Sequence, residues 1–136
     1  MIELDHTIVR THDKVGSARF FARILGLEFD ETATGLFAGV PVNAALTVYF
    51  ATSREVPSNH YAFRTSAAEF DAIFGRIRDE GLRFGSGPFK PALYDGRIAE
   101  ADGDRGVYFE DPNGHVLEVR AWTSAADAAP SEASRG

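Results

Sequence analysis

Cysteine is absent from this sequence of 136 residues. Its absence excludes disulfide bonds, thiolate metal sites and cysteine nucleophiles. Long apolar runs are also missing, since none approaches the roughly 18 residues that a membrane span needs. The chain does not open with a basic segment followed by an apolar one, so no signal peptide is predicted. We therefore expect a cytoplasmic protein that does not enter a membrane.

Positive charge is scarce as well. The chain has 14 Lys and Arg residues against 20 Asp and Glu, which gives a formal net charge of −6, and the basic residues are scattered. Because no basic stripe is visible, nucleic acid is not an expected partner. Hydrophobic residues make up 44% and charged residues 25%, the composition of a globular protein whose length suits one domain.

A β-hairpin is predicted over residues 105–120. Asp111-Pro112-Asn113-Gly114 separates two apolar runs, and Asn-Gly in that position is a strong hairpin signal. Side chains alternate across a strand, so Glu118 faces away from its two aliphatic neighbours. A carboxylate placed in this way is either part of a solvated outer face or a metal ligand inside a concave sheet.

The same order of elements occurs twice along the chain. A strand over residues 2–10 carries His6, and one over 59–65 carries His60. Each is followed by a predicted helix, which ends at Gly26 in the first half and at Gly81 in the second. His6 precedes Gly26 by 20 residues, and His60 precedes Gly81 by 21. This repeat predicts that the two histidines occupy equivalent positions.

Short strands complete each half. They are predicted at 27–32, 35–40 and 44–51 in the first half, and at 82–85 and in the hairpin in the second. Each half is then a βαβββ module, at about 1–52 and 58–123, within one α+β domain over residues 1–123. Residues 124–136 are small and polar, so we expect a disordered tail there.

The two histidines and Glu118 together predict a metal site. A single His on an apolar face is more often structural or exposed than a ligand. Two at equivalent repeat positions, together with a carboxylate on the closing strand, are harder to explain by packing. Two imidazoles and one carboxylate form the ligand set that suits Fe(II) and also accepts Mn, Ni, Co or Zn.

Four segments carry a resemblance to a known superfamily. The segments are Leu4-Asp5-His6-Thr7, residues 20–29 (FFARILGLEF), Asn59-His60-Tyr61-Ala62-Phe63 and residues 106–119 (GVYFEDPNGHVLEV). On these segments the chain resembles the vicinal oxygen chelate superfamily of glyoxalase I, extradiol dioxygenases, fosfomycin-resistance transferases, methylmalonyl-CoA epimerase and bleomycin-binding proteins.

The resemblance implies a fold and a metal site. The two βαβββ modules would form a curled mixed sheet around a metal-centred cavity, with the helices outside. His6, His60 and Glu118 would be the metal ligands, and the metal would bind two adjacent oxygens of a small-molecule substrate as a Lewis acid. Members of the superfamily commonly dimerise, so a homodimer is expected.

One position departs from the glyoxalase pattern. Glyoxalase I has a fourth ligand, a Glu, on the last strand of the first module. Aligning Leu46-Thr47-Val48 with Leu117-Glu118-Val119 puts Thr47 at that place. Thr replaces a carboxylate ligand poorly and cannot serve as the proton-shuttling base. A site with three ligands is closer to the dioxygenases and the fosfomycin transferases.

Further candidates for substrate contact are aromatic or basic. Tyr49 shares the face of Thr47, and Arg64 shares the face of His60. The loop over residues 86–103, which is rich in Gly, Pro and charge, could close over a ligand. For all of these residues, ordinary packing or solvation is an equally good interpretation: Tyr49, Arg64, Tyr94, Arg97, Arg105 and Tyr108. Of the remaining histidines, His12 is expected to cap a helix and His115 to be exposed.

Three functional hypotheses follow. The first is a metal-dependent enzyme, a lyase, isomerase or dioxygenase, acting on a small molecule with vicinal oxygens. The second is a metal-free protein that sequesters a small molecule or antibiotic, as bleomycin-resistance proteins do. The third is a scaffold whose metal is only structural. The presence of all three predicted ligands favours the enzyme.

Overall fold

The computed structural model describes residues 1–123 and divides into two compact units. Unit 1 contains residues 1–58 together with the turn 111–115, and unit 2 contains residues 59–110 and 116–123. The expected disordered tail, residues 124–136, lies outside the described residues. No helix among residues 1–123 has both the length and the apolar character to cross a membrane.

Unit 1 has one helix and a three-stranded mixed sheet. Its elements are β1 (His6–Thr11), α1 (Lys14–Leu25), β2 (Ala38–Pro41) and β3 (Thr47–Thr52). The strand order is β1-β3-β2, in which β1 is parallel to β3 and β2 is antiparallel to β3. Helix α1 packs on one face of this sheet, where Phe21 and Phe50 meet edge to face at 5.3 Å.

The ends of α1 follow from residues at its two termini. The Asp13 side chain accepts a hydrogen bond from the amide of Gly16, so Asp13 is the N-cap. Gly26 has φ 73°, the left-handed conformation that ends many helices. The sequence had suggested His12 as a further cap, but only Asp13 has this role.

The strand predicted at 27–32 does not form. Residues 27–30 have no regular secondary structure, and a 3₁₀ turn at Glu31–Ala33 follows them. The Asp30 side chain accepts hydrogen bonds from both the amide and the hydroxyl of Thr32. Such local bonds compete with sheet pairing, so the first half has three strands instead of the predicted four.

Unit 2 has one helix and a larger mixed sheet. Its elements are β4 (His60–Arg64), α2 (Ala67–Asp79), β5 (Phe84–Gly85), β6 (Ala99–Ala101), β7 (Asp104–Glu110) and β8 (Val116–Trp122). The strand order is β4-β8-β7-β5, and β6 also pairs with β7. Strands β4 and β8 are parallel, and the remaining pairs are antiparallel.

Helix α2 begins with a capping box, which the S-x-x-E spacing of Ser66 and Glu69 indicates. Ser66 accepts a hydrogen bond from the Glu69 amide, and the Glu69 carboxylate accepts one from the Ser66 amide. The helix buries Phe70 completely. The repeat predicts that Phe74 is the buried equivalent of Phe21, but Phe74 is partly exposed.

The long loop after β5 contains more structure than expected. Residues predicted as irregular include a 3₁₀ turn at Ala92–Tyr94 and strand β6. The carbonyl of Ala92 accepts a hydrogen bond from the Ser86 amide. The loop therefore folds back on the end of β5, where Gly85 leaves space for it.

Candidate metal centre

Unit 2 brings two of the three predicted ligands together. His60 Nε2 lies 2.8 Å from Glu118 Oε1, because β4 and β8 are adjacent parallel strands. The His60 side chain is 42% exposed and the Glu118 side chain only 10%. Two ligands at right angles, each about 2.1 Å from one ion, are separated by about 3.0 Å. The pair therefore suits either a direct hydrogen bond or a shared metal ion.

The surroundings of Glu118 favour its charged form. Arg120 Nη1 donates to Glu118 Oε2 at 2.9 Å. Burial alone would raise the pKa of Glu118, but hydrogen bonds from Arg120, His60 and Tyr108 outweigh it and lower the pKa below the usual 4.5. At neutral pH this carboxylate is ionised, as a metal ligand must be.

Tyr108 is held beside the same carboxylate. It is the cross-strand partner of Glu118 on β7, and its ring meets that of His60 edge to face at 5.9 Å. Burial and the nearby Glu118 charge both raise the pKa of Tyr108. The phenol therefore keeps its proton at neutral pH and can donate a hydrogen bond.

An ion-pair network continues from Glu118 along the same face. Arg120 Nη2 donates to Asp104 at 2.8 Å, and Arg64 donates to both oxygens of Asp104 at 3.3 and 3.2 Å. The Arg64 guanidinium also lies 4.4 Å from the Trp122 ring centre. Arg64 is thus engaged by a neighbouring carboxylate and an indole on its own sheet.

The third predicted ligand, His6, belongs to unit 1. Its side chain is 54% exposed, and Nδ1 lies 2.8 Å from Asp5 Oδ2. A hydrogen bond from Nδ1 to this carboxylate leaves Nε2 as the basic nitrogen, which is a common arrangement for histidines that bind metals. The His6 and Tyr49 rings meet edge to face at 5.8 Å.

Strand register corrects the alignment of the two halves. In unit 1, His6 pairs with Thr47, and Tyr49 lies two residues further along β3. In unit 2, Glu118 lies two residues beyond the partner of His60 on β8. With the two histidines equivalent, Tyr49 matches Glu118, whereas the sequence alignment had placed Thr47 there. Neither residue is a carboxylate, so the argument against a fourth ligand is unchanged.

Within each unit, the described residues form no cluster of three or more His, Asp or Glu side chains that could hold a metal ion. His60 and Glu118 are together in unit 2, and His6 is in unit 1. The three-ligand set therefore remains a prediction, for which unit 2 supplies a two-ligand core of suitable spacing.

The other predicted contact residues have different surroundings. Tyr49 lines a pocket of about 390 Å³ in unit 1, and its ring lies 5.8 Å from that of Phe37. The Tyr94 hydroxyl donates to Glu110, and Arg83 lies 3.9 Å from its ring centre. Tyr94 is therefore held by its own unit.

Two arginines of the predicted set are not placed at Glu118. Arg97 follows the 3₁₀ turn, and its amide donates to Asp95. Arg105 bonds to Asp71 of α2 and lies 4.3 Å from the ring centre of Phe70. Arg105 thus packs against the helix on the opposite face of the sheet.

The prediction that His115 is exposed is wrong. His115 is fully buried, and its Nε2 donates to the carbonyl of Arg10 at 2.7 Å. The turn before it is organised by Asp111, whose Oδ1 accepts hydrogen bonds from the amides of Asn113 and His115. This Asx geometry turns the imidazole inward.

The chain belongs to the Glyoxalase/Bleomycin resistance protein/Dioxygenase superfamily, whose family model matches residues 3–119. No curated protein matches it. Among solved structures it is similar to Oxidase ChaP-H2, with 44% identity over 90% of this chain and 95% of that chain and a TM-score of 0.81. Oxidase ChaP-H1 is 43% identical over 88% and 95% of the two chains, with a TM-score of 0.80.

A more distant structure shows the shared fold alone. A glyoxalase/dioxygenase from Nostoc punctiforme is 21% identical over 90% of this chain and 92% of that chain, with a TM-score of 0.67. The mixed α+β architecture of the two units is therefore that of the glyoxalase fold. The superfamily includes enzymes, and the two relatives above 40% identity are named as oxidases.

Proposed function

We propose that this protein is a metal-dependent enzyme that oxidises a small molecule carrying two adjacent oxygens. Its divalent metal ion would be held by His6, His60 and Glu118. The observation that carries the proposal is the His60–Glu118 pair, whose donor atoms are 2.8 Å apart in the second unit. The names of the two oxidases favour oxidation over the lyase and isomerase alternatives.

The donor set fits a first-row metal. Two imidazole nitrogens and one ionised carboxylate match the ligands that Fe(II) and Mn(II) accept while positions stay open. When bound, the ion would supply Lewis-acid polarisation of the substrate oxygens and, for a redox-active metal, a site for electron transfer.

Tyr108 and Tyr49 have distinct proposed roles around this set. Tyr108 keeps its phenolic proton because burial and Glu118 raise its pKa. Its single O–H already donates to Glu118, so Tyr108 would help to keep that carboxylate oriented as a ligand. Tyr49, with Phe37, forms an aromatic wall of the 390 Å³ pocket, which suits the apolar part of a small substrate.

A specific observation supports a metal-free binding protein as the second candidate. Glu118 already has a complete set of protein partners, with His60 at Oε1 and Arg120 at Oε2. A buried carboxylate that is paired with an arginine in this way needs no metal cation to remain ionised. A small-molecule binding site of the bleomycin-resistance type would use the same face without metal.

A titration of Mn(II) into metal-free protein distinguishes these candidates. Wild type should bind one ion per chain, and His6→Ala, His60→Ala and Glu118→Ala should each weaken binding by at least about 100-fold, since loss of an outer-shell partner alone costs about 10–100-fold. His12→Ala is the control, because His12 is an exposed histidine outside the ligand set. A wild-type protein that takes up no Mn(II) would support the metal-free candidate.

A second measurement separates an open catalytic site from a structural metal. Protein loaded anaerobically with Fe(II) should bind nitric oxide and give the EPR signal of a high-spin ferrous nitrosyl, because three protein ligands leave positions open. Catechol, a probe with two adjacent oxygens, should change that signal. If Fe(II) binds but neither probe has an effect, the metal is structural.

The assembly is proposed to be a homodimer. Strand β1 is at the edge of the sheet in unit 1, and β4 is at the edge of the sheet in unit 2. Exposed edges invite pairing with another chain, so natural sheets cover or protect them. Small-angle scattering at tens of micromolar should give the mass of two chains, and the mass of one chain would contradict the proposal.

A further inference from the structure

The two oxygens of Glu118 have different partners. Oε1 lies 2.8 Å from His60 Nε2, whereas Oε2 accepts a hydrogen bond of 2.9 Å from Arg120 Nη1. Because the side chain is only 10% exposed, little water is available to replace either partner. Oε1 thus lies beside the imidazole of His60, and Oε2 is hydrogen-bonded to the guanidinium of Arg120.

Arg120 is itself anchored on its other side. Its Nε and Nη2 donate to Asp104 Oδ2 at 3.1 and 2.8 Å. Asp104 is also held by two hydrogen bonds from Arg64. A planar guanidinium that joins two carboxylates has little freedom to rotate. A lysine in its place would be more flexible.

Gly106 provides the space in which Arg120 lies. The two residues pair across β7 and β8. A Cβ atom at position 106 would be 2.9 Å from Arg120 Nη1 and 3.4 Å from its Cζ. The guanidinium therefore lies flat against the backbone of β7, in a place that a side chain at position 106 would obstruct.

We infer that Arg120, seated on Gly106 and anchored by Asp104, is a positioning residue that restricts Glu118 to one ligating oxygen. This inference rests on the proposed function. If a metal ion were held by two histidines and Glu118, a monodentate carboxylate would leave about three of six octahedral positions open, whereas a bidentate one would leave about two. With a monodentate Glu118, one coordination position on the ion would stay open after two adjacent substrate oxygens had bound.

The number of water molecules on bound Mn(II) is the suitable readout. Affinity alone is ambiguous, because removing a positive charge beside a cation favours binding while releasing the carboxylate changes its geometry. Proton relaxivity of the Mn(II)-loaded full chain reports exchangeable water on the ion and does not depend on a substrate. It therefore measures the open positions directly.

Two variants and a control make the test. Arg120→Gln removes the hydrogen bond to Glu118, and Gly106→Ala displaces the guanidinium while keeping every charge. In both, Glu118 should become bidentate, and the inner-sphere relaxivity should fall by about one third as three waters become two. Arg78→Gln removes one positive charge from the exposed surface of α2 and should leave the relaxivity unchanged.

The outcomes separate this inference from the proposed function. If wild type binds Mn(II) and both variants keep the wild-type relaxivity, the positioning role is refuted while the metal site stands. A fall in both variants with no change in Arg78→Gln supports it, and Gly106→Ala decides alone if Arg120→Gln does not fold. If wild type binds no Mn(II), the proposed function fails and this inference fails with it.

Discussion

Replacing His115 with Ala should destabilise the protein by about 3–5 kcal/mol, although the sequence suggested an exposed residue of little consequence. The imidazole is 0% exposed. Its Nε2 donates to the carbonyl of Arg10, in β1, at 2.7 Å. The turn 111–115 that carries it belongs to the same unit as β1. The side chain therefore fixes the turn to the strand that bears His6.

Two effects give this magnitude. Loss of the imidazole donor leaves the Arg10 carbonyl, whose bond to His115 is part-buried, without that partner, which costs about 1–3 kcal/mol. Removal of the ring also leaves a cavity, and truncation of a large buried side chain to Ala costs about 2–5 kcal/mol. We expect a total loss below the sum of the two upper limits, because the turn can move and partly fill the cavity left by the ring.

Urea denaturation followed by circular dichroism measures the loss. His115→Gln is the informative comparison, since its amide nitrogen can reach the Arg10 carbonyl, and it should recover about 1–2 kcal/mol of the hydrogen-bond contribution. The exposed His12→Ala should behave like wild type. A loss below about 1 kcal/mol in His115→Ala would refute the reasoning that the buried imidazole holds the turn.

Three other predictions concern unit 2. Gly85→Ala should cost about 3 kcal/mol or more in urea denaturation, because the new Cβ would be 1.8 Å from a backbone carbonyl of the adjoining loop. Ser66→Ala should cost about 1 kcal/mol through loss of the N-cap. The pKa values of Asp104 and Glu118 are lowered in the folded state. Their contribution to the free energy of unfolding is therefore complete above about pH 4.5 and is lost as the pH falls further. In urea denaturation at a series of acidic pH values, Arg120→Gln should show a smaller loss of stability than wild type.

The repeated helices could be predicted because their signals are local. Asp13 and Gly26 mark the ends of α1, and Ser66 with Glu69 marks the start of α2. Each signal acts within a few residues, so tertiary context has little opportunity to override it. The absent strand at 27–32 shows the converse, since its apolar pattern was outweighed by the hydrogen bonds that Asp30 makes to its own turn.

The candidate site was only partly predictable, for a different physical reason. His60 and Glu118 could be chosen from alternation along single strands, but Arg120 and Asp104 gain their roles from the register of β7 on β8. That register depends on the conformation of the turn 111–115, which the sequence indicates only through Asp111-Pro112-Asn113-Gly114. A prediction that had fixed the turn would have placed Gly106 opposite Arg120.

Register also explains how two related halves come to differ. In unit 1, Tyr49 lies opposite Gly39. The tyrosine ring packs over this glycine, and a Cβ atom at position 39 would be only 2.9 Å from the ring. At the matching position of unit 2, Glu118 lies opposite Tyr108. The same position thus carries an aromatic pocket wall in one half and a carboxylate in the other. This difference explains why unit 1 offers no carboxylate at the position that Glu118 occupies in unit 2.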